Sequence, residues 1–321
     1  MGFAFFVVAA ILLLLLVSGG YVFVFACVRR KELPWLVEKE ISKTPFSPHY
    51  KNIVAADQWL KSHEAEDVYI TSDDGLKLHG LWLPADNPRG TVLFAHGYRS
   101  CILVDFGLAF EFYHAHGMNL LIPDQRAHGK SQGRFITFGV KESKDMQRWI
   151  DYHNAHCGNY PVMLSGLSMG ATTMLNLADK ELPENVKGII ADCGFTSPND
   201  ILSSVFTRVT HLPAVPSLWI TDVFTRVFAG FSIYQCDTRK SLSKCRIPVL
   251  LIHGTDDSFV PCEMTKKAYS ACGGPKELLL VEGAEHGVSF LVDKESYTQA
   301  VTAFMDRILG DRYELRNDQE L

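Results

Sequence analysis

The segment Gly166-Leu167-Ser168-Met169-Gly170 sets a serine between two glycines, after the apolar run Met163-Leu164-Ser165 and before a helical pattern. In a strand–turn–helix setting, Gly-x-Ser-x-Gly forms a sharp turn that lifts the hydroxyl above a sheet. Larger residues at the glycines would strike the strand and the helix. The helix N-terminus adds backbone N–H donors and a dipole that favours developing negative charge. A serine hydroxyl needs a base to become a nucleophile, and the base needs an orienting carboxylate. Three histidines follow Ser168: His211, His253 and His286. His286 lies in Gly283-Ala284-Glu285-His286-Gly287, just after the last apolar run, which makes it the expected base. His211 falls in a long insertion, and His253 closes the preceding run, where it is expected to organise the turn. The acid is expected after the run 248–252, where Asp256 and Asp257 stand side by side and spacing does not separate them. Asp192, which ends an earlier run, is a distant third candidate for the acid and is expected instead to cap the next loop. An oxyanion requires two backbone donors. They are assigned to Met169, directly after the serine, and to Tyr98 in His96-Gly97-Tyr98-Arg99, where Gly97 permits close approach.

Groups so placed need a scaffold that gathers loops at one edge. Residues 67–72 alternate apolar and polar, Asp73-Asp74-Gly75 marks a turn, and 76–83 resumes, which predicts a hairpin. Short apolar runs at 91–95, 119–123, 161–165, 188–192, 248–252 and 277–282 predict strands buried on both faces of a parallel sheet. Helical patterns at 102–116, 139–157, 169–180 and 294–309 separate or follow them. Together these imply an α/β domain with a mostly parallel eight-stranded sheet and helices on both faces, with ligands at the carboxyl ends of the strands. The 196–245 stretch is too long and too apolar for a plain connection, and predicts a helical cap over the site.

Residues 3–28 form an uncharged apolar run, which at ~1.5 Å per residue is long enough to cross a ~30 Å hydrocarbon core. No Lys or Arg precedes it, so an uncleaved transmembrane anchor is expected over 1–31 rather than a signal peptide. Val24-Phe25-Ala26-Cys27 has the outline of a lipoprotein cleavage site, but the bulky Phe25 and the missing basic region weigh against it. Arg29, Arg30 and Lys31 favour a cytoplasmic catalytic domain by the positive-inside bias. A juxtamembrane connector is expected over 32–65, with Trp35 at the interface and a short helix near 50–62. The α/β domain is expected at 66–311, and a polar tail at 312–321. A net charge of -5 with no basic cluster gives no sign of a nucleic-acid partner. The eight cysteines form no Cys-x-x-Cys pair and no zinc-spaced cluster, so buried free thiols are expected.

Four motifs in order resemble the α/β-hydrolase superfamily, in particular its membrane-anchored and prolyl-oligopeptidase-like esterase branch. They are His96-Gly97-Tyr98, Asp124-Gln125-Arg126-Ala127-His128-Gly129-Lys130-Ser131, Gly166–Gly170 and His253–Pro261, with His286 completing the set. The resemblance covers residues 66–310 and implies the α/β-hydrolase fold. The family turn His-Gly-x-x-Asp-x-x-Val-Pro carries the triad acid, which selects Asp257 over Asp256. Ala127 stands where relatives carry glycine, in a loop that is structural in the family. The implied activity is acyl transfer from a carboxylic ester or thioester, with Ser168, His286 and Asp257 as catalytic triad, Tyr98 and Met169 as oxyanion hole, and no metal or cofactor required. The anchor and apolar cap point to a lipid-like acyl substrate. A serine aminopeptidase of the same fold, or a non-catalytic membrane-bound binding protein, is the alternative.

Overall fold

Eight strands form one sheet in the order β1-β2-β4-β3-β5-β6-β7-β8 in a computed structural model that describes residues 2–31, 38–42 and 46–310. Trp35 and the 312–321 segment lie outside the described residues. The strands are β1 Glu66–Thr71, β2 Lys77–Leu83, β3 Gly90–Ala95, β4 Met118–Pro123, β5 Val162–Leu167, β6 Val186–Asp192, β7 Val249–Gly254 and β8 Lys276–Val281. β2 runs antiparallel to β1 and β4, and the other pairings are parallel, which is the expected mixed sheet.

Every residue of β3, β4, β5 and β7 is buried, as their unbroken apolar runs require. Alternation along the strand splits these residues between two cores. Val92 and Phe94 meet Phe106, Phe110 and Phe304 on one face, while Leu93 and Ala95 meet Trp149, Leu164 and Met174 on the other. The register sets Ala95 beside Gly166, Leu167 beside Asp192, and Asp192 beside Ile252. The loops after β3, β5, β6 and β7 therefore open at one edge.

Two helical readings change in detail. The helix after β5 is Met169–Leu175, shorter than 169–180, because Leu177 and Ala178 turn back to Met174 and Leu175 through i+3 bonds. The helix Tyr50–Ser62 is part of the folded body: it buries Ile53, Ala56 and Leu60 beside the helix Ile102–Ala115.

The helix Gly2–Cys27 is long and apolar enough to cross a membrane. Its last turns are packed on the domain, with Phe23, Ala26 and Cys27 buried. Val28 bridges Phe135, and Arg29 donates to the carbonyls of Ser131 and Gly129, both at 2.7 Å. The 196–245 insertion holds the helices Pro198–Thr210, Ser217–Phe224 and Thr238–Ser243, with a π-helical turn at Thr225–Ala229. All eight cysteines are free.

Candidate active site

Ser168 sits between β5 and its helix with φ 55° and ψ -116°, a conformation that costs an ordinary residue energy and concentrates at functional turns. The flanking glycines are sterically required. A Cβ on Gly166 would lie 2.3 Å from the Gly170 carbonyl oxygen, and one on Gly170 only 1.9 Å from that of Ala95. The Ser168 hydroxyl lies 2.9 Å from His286 Nε2, and His286 Nδ1 lies 2.7 Å from Asp257 Oδ2. A carboxylate only accepts, so Nδ1 carries the proton and Nε2 is left to accept from the serine. Of the adjacent aspartates, Asp257 makes this contact, whereas Asp256 is exposed and accepts from Thr255 Oγ1 at 2.9 Å.

Asp257 also accepts from the backbone N–H groups of Phe259 and Val260 at 2.8 Å, and lies 3.1 Å from His253 Nε2. Burial pushes its carboxyl up, but bonds from His253 and His286 outweigh this and hold it well below the usual carboxylate range. His253 accepts from Thr265 Oγ1 at 2.6 Å and donates to the Val260 carbonyl at 2.9 Å, so it shapes the acid loop. His211 caps the helix Pro198–Thr210 in a left-handed conformation and is exposed.

Tyr98 stands between two tethered neighbours. The Gly97 N–H donates to Asp105 Oδ2 at 2.5 Å, and the Arg99 N–H donates to His128 Nε2 at 3.1 Å. Among the described residues the N–H groups of Tyr98 and Met169 have no acceptor, as an oxyanion site requires. Asp105 also accepts from Ser100 Oγ at 2.6 Å. It is partly buried, and desolvation raises its pKa against those two bonds. Burial likewise keeps His128 well below its ordinary value, so its Nε2 remains an acceptor. The Asp124–Ser131 loop that supplies His128 is anchored by Arg126, which pairs with Asp145 at 2.6 Å and Asp74 at 2.9 Å.

Comparisons with known proteins bear on the fold and family. Residues 86–221 match the family described as "Serine aminopeptidase, S33", and residues 233–308 match "TAP-like protein". An esterase of Pyrococcus furiosus, Pf2001, superposes with TM-score 0.63 at 26% identity, covering 78% of this chain and 94% of its own. The chain belongs to the α/β-hydrolase superfamily. The Bacillus subtilis protein YqkD is 29% identical over 240 residues, 74% of this hydrolase and 78% of its own length. Protein bem46 of Schizosaccharomyces pombe is 26% identical over 219 residues, covering 67% and 68%.

Two acidic groups in this hydrolase lie outside the sequence-level expectations. Asp105 is eight residues past the glycine it holds, on a helix, and its sequence position carries no signal of that bond. Asp192 does not cap the following loop: it is buried and accepts from Ser289 Oγ at 3.3 Å. Burial pushes it up to about 6, against the pull of His253 and His286. The neighbouring Cys193 thiol is also buried, and burial holds its pKa well above the ordinary value, which keeps it neutral.

The insertion packs onto the site. Its residues Ile201, Leu202, Leu218 and Phe231 join one apolar cluster with Met169, Phe195 and Val260, and with Phe23, Ala26 and Cys27 of the N-terminal helix. Phe259, 5.1 Å from the His286 ring, lies under the Arg208 guanidinium at 5.4 Å. Ser168 is only 3% exposed.

Proposed function

We propose that this hydrolase is a serine esterase acting on carboxylic ester or thioester bonds through an acyl-enzyme on Ser168. The observation that carries the reading is the Ser168–His286–Asp257 hydrogen-bond chain, beside two acceptor-free N–H groups. His286 takes the serine proton as Oγ attacks the carbonyl carbon, and Asp257 steadies the imidazolium that forms. The amides of Tyr98 and Met169 receive the oxyanion. His286 then protonates the departing alcohol or thiol. In the second half it activates a water that releases the acid and restores Ser168.

The aminopeptidase alternative needs a free carboxylate for the substrate amine. The three carboxylates of the insertion are already engaged in ion pairs: Asp200 and Asp237 share Arg239 at 3.1 and 2.8 Å, and Asp222 pairs with Arg226 at 2.7 Å. This favours an uncharged acyl group, and with the apolar insertion it favours a lipid-like one. The helix Gly2–Cys27 is proposed as a single-pass anchor. Arg29, Arg30 and Lys31 at its end favour a cytoplasmic domain by the positive-inside bias.

Fluorophosphonate labelling and turnover of p-nitrophenyl esters of increasing chain length test the esterase reading. The full chain should label and turn over, and Ser168→Ala should do neither, a loss of ~10⁶ in kcat. A folded parent that neither labels nor turns over any ester would move the binding-protein alternative ahead. Labelling of the domain on intact cells by an impermeant thiol reagent would sink the cytoplasmic assignment.

A further inference from the structure

The N-terminal helix meets the insertion before its membrane-crossing length is used up. Ser18 Oγ donates to Ser217 Oγ at 3.0 Å, and Thr221 Oγ1 donates to the Gly19 carbonyl at 3.1 Å. A Cβ on Gly19 would lie 2.6 Å from the Ile220 side chain, so glycine lets the helix Ser217–Phe224 seat against the backbone. Phe23 stacks on Phe224 and tilts against Phe228, with centroids 5.9 Å apart in both pairs. A ~30 Å hydrocarbon core takes about 20 helical residues. Counted from Phe3, that length ends near Val22. The contacts at Ser18, Gly19 and Phe23 therefore fall in the last turns of the crossing or at its edge. Whatever packs beside them lies at the same depth.

What packs beside them carries an outward apolar stripe. Trp219, Val223 and Val227 recur every four residues and are 59%, 55% and 68% exposed, and Phe228 is exposed beside them. The opposite face, with Leu218, Thr221, Asp222 and Thr225, is buried. Leu212 and Val215 extend the exposed patch. Such a face is unfavourable in water. At its margin, at the end of the N-terminal helix, lies a cation suited to lipid headgroups, Arg30, over the Phe25 ring at 4.4 Å. Behind the stripe, Leu218 joins Phe23, Met169 and Phe195 in one apolar cluster that reaches the residue directly after Ser168.

We propose that the Trp219–Phe228 face docks into the bilayer leaflet occupied by the end of the helix Gly2–Cys27, and that the site takes its substrate, a membrane lipid ester, laterally from that leaflet. The occupant is a phospholipid bilayer, argued from the continuity of the stripe with the crossing helix. The substrate class rests on the esterase reading of Ser168, whereas the docking does not.

The test uses the full chain in palmitoyl-oleoyl phosphatidylcholine vesicles doped with dioleoylglycerol as probe substrate. Dibromostearoyl phosphatidylcholine should quench a tryptophan component that is missing in Trp219→Phe. The Val223→Glu/Val227→Glu double variant should turn over vesicle dioleoylglycerol at least about tenfold more slowly, while its rate on water-soluble p-nitrophenyl acetate stays within about twofold of the parent. An identical quenched fraction in parent and Trp219→Phe overturns the docking, whatever the activity. So does a stripe shielded by a second copy, seen as a dimer that the double variant breaks. Unchanged vesicle turnover in the double variant overturns lateral uptake. A parent inactive on both substrates but quenched at Trp219 would refute the esterase reading and leave the docking supported.

Discussion

Asp105 holds the loop that carries Tyr98, the proposed oxyanion donor, and replacing it with alanine isolates that role. Its carboxylate accepts the Gly97 N–H at 2.5 Å and the Ser100 hydroxyl at 2.6 Å, and it touches none of the reacting atoms. Asp105→Ala leaves two donors without an acceptor, at ~1–3 kcal/mol each. Removing a carboxyl whose pKa burial has raised offsets part of that loss, so melting temperature falls by only a few degrees. The larger effect is on rate. Freed from Asp105, the loop no longer aims the Tyr98 N–H, and losing one oxyanion donor costs ~10²–10³ in kcat. KM should change little, because the donor acts on charge that exists only in the transition state. Asp105→Asn keeps one acceptor and should fall between parent and alanine variant. The assay is kcat and KM on a p-nitrophenyl ester well below the melting temperature, with circular dichroism to verify folding. A folded Asp105→Ala enzyme whose kcat stays within about threefold of the parent would refute the positioning role.

Gly170→Ala drives a methyl into the Ala95 carbonyl, so the elbow and the end of β3 must separate; fluorophosphonate labelling should fall at least ~10²-fold even where circular dichroism shows a folded chain. Asp192, raised to about 6 against an ordinary ~3.9, is harder to ionise folded than unfolded. Its contribution is most favourable below about pH 4 and is lost as pH rises through about 6. Asp192→Asn should therefore flatten the stability profile across that window and stabilise the protein at pH 8 by ~1–3 kcal/mol, read by urea unfolding. Deleting residues 2–31 removes the buried Phe23 and Cys27, the Ala26 carbonyl that Tyr98 Oη donates to at 2.9 Å, and the Arg29 contacts. In detergent it should be ~3–5 kcal/mol less stable than a chain starting at residue 17; equal stability would show that the helix end is only a tether.

The elbow, the buried strands and the N-terminal apolar helix were legible because each is a local pattern. Gly166–Gly170 must turn sharply wherever it follows a buried strand, β3 and β5 read as continuous apolar runs, and the 3–28 stretch is uncharged. His286 was found by its place after the last strand. Asp257 and Asp256 differ by one position, and only the fold of the loop, held by His253 and Val260, turns the former towards His286. Asp105 meets Gly97 because a helix start is packed beneath the β3 loop, and Asp192 is pressed under the site by sheet register. The pairs Asp222–Arg226 and Asp237–Arg239 are close in sequence, whereas Asp200 meets Arg239 only once the insertion has folded. The N-terminal run reads as a detachable anchor, yet Gly19, Phe23 and Ala26 are built into the domain. Short-range periodicity determines which elements form. Hydrogen bonds, charge pairs and apolar contacts between residues far apart in the chain depend on how those elements pack, and they exist only once the tertiary structure does.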